Sequence, residues 1–191
     1  LGGGPTRYGN GAMTVRLLLC LPALVGAYLK PAGGAFLGTS TGGAFALQRI
    51  TREDLQPRPT RSINMNRLGA ALDPALDPPV KSLYVYASNP AAVAPDQNAV
   101  RGGLLREDLF TVVHERFLTD TARFADIVLP ATSSLEHPDL YRAYGHYATQ
   151  RCRAVIAPVG ESRSNWRTFQ ALAGHMGFDE DPFHCSEDEM I

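Results

Sequence analysis

Three short apolar runs, each about the length of a buried β-strand, constrain the fold of this chain most strongly. They span residues 83–87, 109–113 and 126–129. The first two are rich in β-branched and aromatic side chains, as strands buried in a parallel sheet are. A helical pattern over residues 95–106 separates the first two runs, and a one-turn helix starting at Thr119 or Asp120 precedes the third. This strand–helix–strand alternation predicts parallel strands joined by right-handed crossovers, and hence an α/β fold.

Polar residues follow the first two runs at the points where the strands end. Asn89 follows the first run, Glu115 follows the second, and Thr119 and Thr121 start the short helix. Ligands of open α/β sheets bind at the carboxyl ends of the strands, and an acid there can bind a nucleotide. The residues alone leave structural alternatives open, because Asn-Pro is a common turn dipeptide and threonine at a helix start also serves as a cap.

The residues around these ends resemble the molybdopterin oxidoreductases of the dimethyl sulfoxide reductase family. The family pattern is an xNP loop after one strand, an acidic or amide residue after the next strand, then TxTAxxADxxLP and a downstream glutamate. In this chain it reads Ser88-Asn89-Pro90, Glu115 and residues 119–130, with Glu136 downstream. The resemblance covers most of residues 5–178.

The resemblance implies a three-layer, Rossmann-like α/β domain with a mainly parallel sheet and helices on both faces. It implies that this domain helps to bind a bis-molybdopterin guanine dinucleotide carrying molybdenum. The cofactor contacts that it implies are Asn89, Pro90, His114, Glu115, Thr119, Thr121 and Asp126. In the family the redox chemistry takes place at the metal, so we expect no catalytic residue and no metal ligand in this chain. A [4Fe-4S] cluster is expected upstream of it.

We expect residues 1–191 to form one α/β domain of a larger enzyme, because the chain begins with Leu1 rather than methionine. Residues 31–81 are interpreted as an irregular excursion, with a short helix around 62–71, and residues 179–191 as a truncated extension. The expected partners are other domains of the same polypeptide and a small-molecule redox substrate. Formate, nitrate, sulfur oxyanions and sulfoxides all remain open as substrates.

The apolar run at residues 13–29 is the one segment that resembles a membrane span. It contains Arg16 and Pro22 and is shorter than the roughly 20 residues that a span needs. Its leucines recur at helical spacing, so it predicts a buried helix capped by Asn10. In an isolated chain, an apolar face on this helix or on the loop at 31–46 would favour self-association.

The charge and cysteine content exclude two classes of protein. With 18 basic and 19 acidic residues, the net charge of −1 leaves no basic surface for nucleic acid. The three cysteines form no CxxC pair, which argues against a disulfide framework and favours reduced thiols. A cytoplasmic location is therefore expected, with a periplasmic one left open.

Three alternatives concern other chemistry. Residues 38–42 match GxSxG, so Ser40 is a candidate hydrolase nucleophile, but residues 31–37 are a poor strand for that motif. A non-catalytic nucleotide-binding module is the second alternative. A metal site formed by His114, His137 and His146 is the third, although zinc ligands usually lie closer together in sequence.

Overall fold

The computed structural model describes residues 3–35, 51–56, 58–143 and 148–191. The α-helices of these segments are α1 (Gly11–Leu24), α2 (Leu68–Ala71), α3 (Pro90–Val93), α4 (Gln97–Leu104), α5 (Asn165–His175) and α6 (Glu187–Met190). The strands are β1 (Ser82–Tyr86), β2 (Phe110–Glu115), β3 (Ile127–Pro130), β4 (Asp139–Arg142) and β5 (Thr149–Cys152). Short 3₁₀ turns include Met65–Arg67 and Thr121–Phe124.

The chain divides into two compact units. One comprises residues 1–56 and 141–150, and the other comprises residues 57–140 and 151–191. The larger unit contains the three-stranded sheet and the helices that pack on it. Strands β4 and β5 form a separate two-stranded sheet. The assignment of residues 1–191 to a single domain stays a prediction.

Strands β1, β2 and β3 form a parallel sheet in that order. Tyr86 lies beside His114 across the first pair, and Glu115 lies beside Pro130 across the second. The prediction of three parallel neighbours is confirmed, with strand ends displaced by only one or two residues. The chain is a mixed α/β structure consistent with a Rossmann-like domain.

One face of the sheet is covered by the helices between β1 and β2. Val113 on β2 is fully buried and packs with Val85 and Ala122. A second cluster joins α2, α3 and α4 beneath the same face, and its buried members are Leu72, Ala91, Val100, Leu104 and Leu109. Asp96 caps the start of helix α4, because its side chain accepts a hydrogen bond from the Ala99 amide at 3.3 Å. This cap fixes where the crossover helix starts.

The opposite face is partly covered by α5. Ser164 caps this helix by accepting a hydrogen bond from the Arg167 amide at 3.2 Å, and Gly177, with φ of +80°, follows its end. Phe169 packs against Tyr84 on β1 and His114 on β2, with ring centroids 5.5 and 6.3 Å away. Helices therefore lie on both faces of the sheet, as predicted.

Helix α1 is largely exposed, so the prediction of a buried helix is wrong. Leu17, Leu21 and Leu24 are 65%, 56% and 81% exposed, and the helix stops at Leu24, short of the expected end near residue 29. The Asn10 side chain makes no capping hydrogen bond. Helical periodicity reveals that a segment is amphipathic or apolar, but it does not reveal what covers the apolar side. In the described part of the chain, no helix combines the length and the apolar character needed to cross a bilayer.

Candidate functional site

The carboxyl edge of the parallel sheet gathers the loops that follow its strands. Pairing continues just past the strand ends, because the Ala87 amide donates to the His114 carbonyl at 3.2 Å and the Ala131 amide donates to the Glu115 carbonyl at 3.1 Å. The loop after β1, the loop after β2 and the loop after β3 therefore leave the sheet from one edge. This is the edge at which ligands of parallel α/β sheets bind.

Asn89 and Thr121 connect the first two of these loops. The Asn89 Oδ1 atom accepts hydrogen bonds from the Thr121 amide at 3.1 Å and from the Thr121 hydroxyl at 2.8 Å. The Thr121 Oγ1 atom in turn accepts from the Ala91 amide at 3.0 Å. The Asn89 amide nitrogen has a longer contact, 3.4 Å, with Asp120 Oδ2. The structure thus brings Asn89 and Thr121 into direct contact across 32 residues of sequence.

The other residues of these two loops differ in exposure. Thr121 is fully buried and Pro90, the first residue of α3, is buried as well. Thr119 is half-buried, and its hydroxyl accepts from the Ala122 amide at 3.3 Å. Asn89 is half-buried and Asp120 is exposed. Asn89, Thr119 and Asp120 are therefore accessible to a ligand, whereas Pro90 and Thr121 are buried.

Glu115 ends the central strand β2 at the same edge. Its side chain is 12% exposed, and Oε1 accepts a hydrogen bond from the Arg116 amide at 2.6 Å. The Arg116 Nε atom lies 3.9 Å from the same oxygen. Oε2 makes no hydrogen bond within the described residues. The carboxylate thus has one fixed oxygen and one that can accept hydrogen bonds from a ligand.

His114 lies on the opposite face of the sheet, because successive residues of a strand point to opposite sides. It is 1% exposed and packs among the rings of Tyr84, Tyr86 and Phe169. Neither ring nitrogen has a hydrogen-bond partner in the described part of the chain. Burial lowers the pKa of His114. The nearby backbone of Arg163 and the negative charge of Glu115 act in the opposite direction, but the effect of burial is larger. A desolvated histidine ring is therefore part of this aromatic cluster.

Asp126 lies at the other end of the sheet, immediately before β3. Its Oδ2 atom accepts from the Thr111 amide at 2.7 Å, and its own amide donates to the Thr111 carbonyl at 2.9 Å. These bonds extend the β2–β3 pairing toward its amino end. The seven predicted contacts therefore lie in three places. His114 lies on one face of the sheet, Asp126 lies at its amino end, and the other five form a group at its carboxyl edge. The edge group is Asn89, Pro90, Glu115, Thr119 and Thr121.

Glu136 organises the loop after β3, a role that the sequence interpretation did not assign. It is 8% exposed, and it accepts from the Ser133 amide at 2.6 Å and from the Val159 amide at 2.7 Å. Hydrogen bonds from Ser133, followed by that from Val159, lower the pKa of Glu136. The S-x-x-E spacing of Ser133 and Glu136 is the sequence signal that could have indicated the first bond.

Arg163 extends the same edge beyond β3. Its amide donates to the Pro130 carbonyl at 3.1 Å, and its carbonyl accepts from the Thr132 amide at 3.1 Å. These two bonds pair Arg163 with Ala131 in an isolated parallel bridge. No motif in the sequence indicates this pairing. The loop after β3 is thus held both by Glu136 and by the backbone of Arg163.

Among the described residues, the alternative serine and metal sites can be followed only in part. No three His, Cys, Asp or Glu side chains come together there as a metal site, and His137 Nδ1 instead lies 2.9 Å from the Thr132 hydroxyl. His146 and Ser40 fall outside the described residues. A cavity of about 670 Å³ lies between the sheet and α5, and its walls include Val112, Leu129 and Leu172. It is on the face of His114, away from the Asn89–Thr121 contact.

Comparisons with known proteins identify the family. The profile described as molybdopterin oxidoreductase matches residues 1–175. The chain belongs to the molybdopterin oxidoreductase family. Among its relatives is the probable oxidoreductase YoaE of Bacillus subtilis (strain 168), which is 48% identical over 192 residues. That match covers 100% of this chain and 28% of the relative.

Two further matches involve relatives with more specific names. A putative formate dehydrogenase of Staphylococcus aureus (strain bovine RF122 / ET3-1) is 40% identical over 111 residues, which cover 58% of this chain and 11% of that protein. The solved structure of acetylene hydratase from Pelobacter acetylenicus matches with a TM-score of 0.53 and 29% identity, over 60% of this chain and 16% of that one. The chain thus spans less than a third of the length of each of these relatives.

Proposed function

We propose that this chain is the part of a molybdenum-dependent oxidoreductase that binds the guanine end of a bis-molybdopterin guanine dinucleotide. The observation that carries the proposal is the position of Glu115. Its carboxylate ends the central strand of a parallel sheet, at the edge where Asn89 and Thr119 are also accessible. Family membership supports the cofactor class, and the geometry supports the place on this chain.

The donor and acceptor groups at this edge fit a guanine nucleotide. Guanine presents a ring N–H and an exocyclic amine side by side, and a carboxylate with a free oxygen can accept from such donors. Glu115 Oε2 is available in this way. The amide nitrogen of Asn89 can donate to a nucleotide oxygen. It carries two N–H donors, and its one contact in the described part of the chain, with Asp120, is long at 3.4 Å. The described residues therefore offer both an acceptor and a donor.

When bound, molybdenum supplies the redox chemistry, while the protein binds and orients the cofactor. This chain contributes the guanine-binding edge, and the [4Fe-4S] cluster and the metal ligand belong to the remainder of the polypeptide. The substrate is a small redox-active molecule that reacts outside these residues. We place the enzyme in the cytoplasm.

The experiment that tests this function removes the Glu115 carboxylate in the full-length polypeptide. Glu115→Ala deletes a charge-assisted hydrogen bond, which costs roughly 1.5–3 kcal/mol, or about ten- to a hundredfold in affinity. We expect less molybdenum per polypeptide and less guanosine monophosphate after acid hydrolysis. Glu107→Gln is the matched control, because Glu107 is an exposed acid that precedes β2 at its amino end. Full cofactor content with normal turnover in Glu115→Ala rules the proposal out.

The same measurement separates the oxidoreductase from a non-catalytic nucleotide-binding module. A module would retain guanine nucleotide with no molybdenum, whereas the proposed enzyme carries both together. The ratio of metal to guanosine monophosphate in the purified polypeptide therefore distinguishes the two functions.

A further inference from the structure

We infer that Asn89 and Thr121 are positioning residues. The hydrogen bonds between them fix the cofactor-binding edge, and the Asn89 Oδ1 and Thr121 Oγ1 atoms that make these bonds do not contact the cofactor. This inference rests on the proposed function and refines it, because both residues fall within the family pattern of implied cofactor contacts. It begins from the burial and the hydrogen-bond occupancy of the two side chains.

The Thr121 hydroxyl has no accessible surface and no spare donor. Thr121 is fully buried, its hydroxyl donates to Asn89 Oδ1 at 2.8 Å, and it accepts from the Ala91 amide at 3.0 Å. A hydroxyl carries a single O–H donor, so the proton is committed inside the protein. Thr121 therefore cannot bond a ligand unless the loop rearranges.

The Asn89 carbonyl oxygen is also committed. Oδ1 accepts two hydrogen bonds, from the Thr121 amide at 3.1 Å and from the Thr121 hydroxyl. A carbonyl oxygen has two lone pairs, so both are occupied. The consequence is that the loop after β1 is fastened to the loop after β2 by three bonds that run from Ala91 through Thr121 to Asn89.

This fastening determines where the accessible groups of the edge lie. Thr119 and Asp120 immediately precede Thr121, and Glu115 precedes them on β2. When the loop after β2 is anchored at Thr121, the short segment between Glu115 and Thr121 is held at both ends. Partners that orient a binding residue can matter as much as the residue itself, and their loss often lowers affinity by about ten- to a hundredfold.

The first test changes the hydroxyl while keeping its volume. Thr121→Val removes the hydroxyl with nearly the same shape, and Thr121→Ser keeps it. In the full-length polypeptide we expect Thr121→Val to release molybdenum and guanosine monophosphate about tenfold faster during dialysis. We expect Thr121→Ser to stay within about threefold of the natural chain, since its hydroxyl can make the same bonds.

Thr111→Val is the matched control for removing a buried hydroxyl. Thr111, on β2, is likewise a fully buried threonine, but its hydroxyl has no hydrogen-bond partner in the described residues. We expect Thr111→Val to retain the cofactor like the natural chain. If Thr121→Val retains the cofactor as Thr111→Val does, the positioning role is overturned.

A second variant separates the two functional groups of Asn89 and decides the question even if Thr121→Val does not fold. The exchange Asn89→Asp with Asp120→Asn keeps an acceptor for Thr121 and the net charge, but it removes the amide donor at position 89. We expect this exchange to release the cofactor more slowly than Asn89→Ala, because the bonds to Thr121 survive and only the amide donor is lost. Asn89→Ala, which lacks the acceptor, should release it about tenfold faster. Equal loss in the exchange and in Asn89→Ala would overturn the positioning role, because the amide nitrogen alone would then account for the contribution of Asn89.

Glu115 distinguishes a failure of this inference from a failure of the proposed function. Release of the cofactor by Glu115→Ala together with retention by Thr121→Val overturns the positioning role alone. Retention of the cofactor in both variants overturns the proposed function and, with it, the positioning role.

Discussion

A methyl group added to Gly103 in α4 tests whether this helix packs on α2 as the structure shows. A Cβ atom at Gly103 would lie 2.4 Å from Leu72 Cβ and 3.0 Å from Leu72 Cδ1. Leu72 is 1% exposed and belongs to the core cluster, so it has little room to move. The neighbouring Gly102 has no atom within 4 Å of its would-be Cβ. The two adjacent glycines therefore offer a matched pair.

The two alanine variants should change stability in opposite directions. Alanine is a better helix former than glycine by at most about 1 kcal/mol, which applies to both positions. Overpacking a core costs about 1–3 kcal/mol, and the short distance to the Cβ of Leu72 places Gly103→Ala toward the upper part of that range. The net expectation is a destabilisation of about 1–2 kcal/mol for Gly103→Ala and a stabilisation of up to about 1 kcal/mol for Gly102→Ala.

Hydrogen exchange of the full-length polypeptide measures this difference locally. Amides of α4 should exchange roughly tenfold faster in Gly103→Ala, since 1.4 kcal/mol corresponds to about a factor of ten. The same amides should be protected slightly more in Gly102→Ala. Equal protection in the two variants would refute the reasoning, because it would mean that Gly103 does not face Leu72.

Three further predictions concern the aromatic cluster around His114, the hydrogen bonds between Asp126 and Thr111 at the amino end of the sheet, and the exposed helix α1. Burial lowers the pKa of His114 below its ordinary 6.5, so the unfolded chain binds a proton that the folded chain does not. Stability should therefore fall as the pH drops below about 6.5, and His114→Phe should flatten that slope in thermal unfolding. Asp126→Ala should lower stability by roughly 1 kcal/mol, by losing the bond from the Thr111 amide, while molybdenum content stays unchanged. A drop in metal content without a change in the unfolding temperature would contradict that placement. Light scattering over a concentration series should show self-association of the isolated 191-residue chain, and Leu17→Lys, in the exposed face of α1, should reduce it. A strictly monomeric chain would argue against this interaction.

Local patterns in the sequence were sufficient to predict the main elements of the larger unit. The apolar runs at 83–87, 109–113 and 126–129 became parallel strands, and the helical pattern over residues 95–106 became α4 with its Asp96 cap. These predictions succeed because strand and helix patterns, caps and crossovers depend on residues close in sequence. The family motifs belong to the same class of information, and the profile match confirms the family that they indicated.

The tertiary structure alone decided which polar residues reach the edge. The buried Thr121 hydroxyl donates a hydrogen bond to Asn89, 32 residues away, and Glu136 accepts one from the amide of Val159, 23 residues away. The pattern placed His114 and Glu115 together, but strand alternation puts them on opposite faces, and α5 fills the histidine side with Phe169. Helix α1 shows the same dependence, because its apolar periodicity is local whereas its exposure is set by what else packs against it. Sequence spacing thus specified the strands and their order. Contacts between distant segments specified the site, because hydrogen-bond partners and covering surfaces are properties of the folded chain.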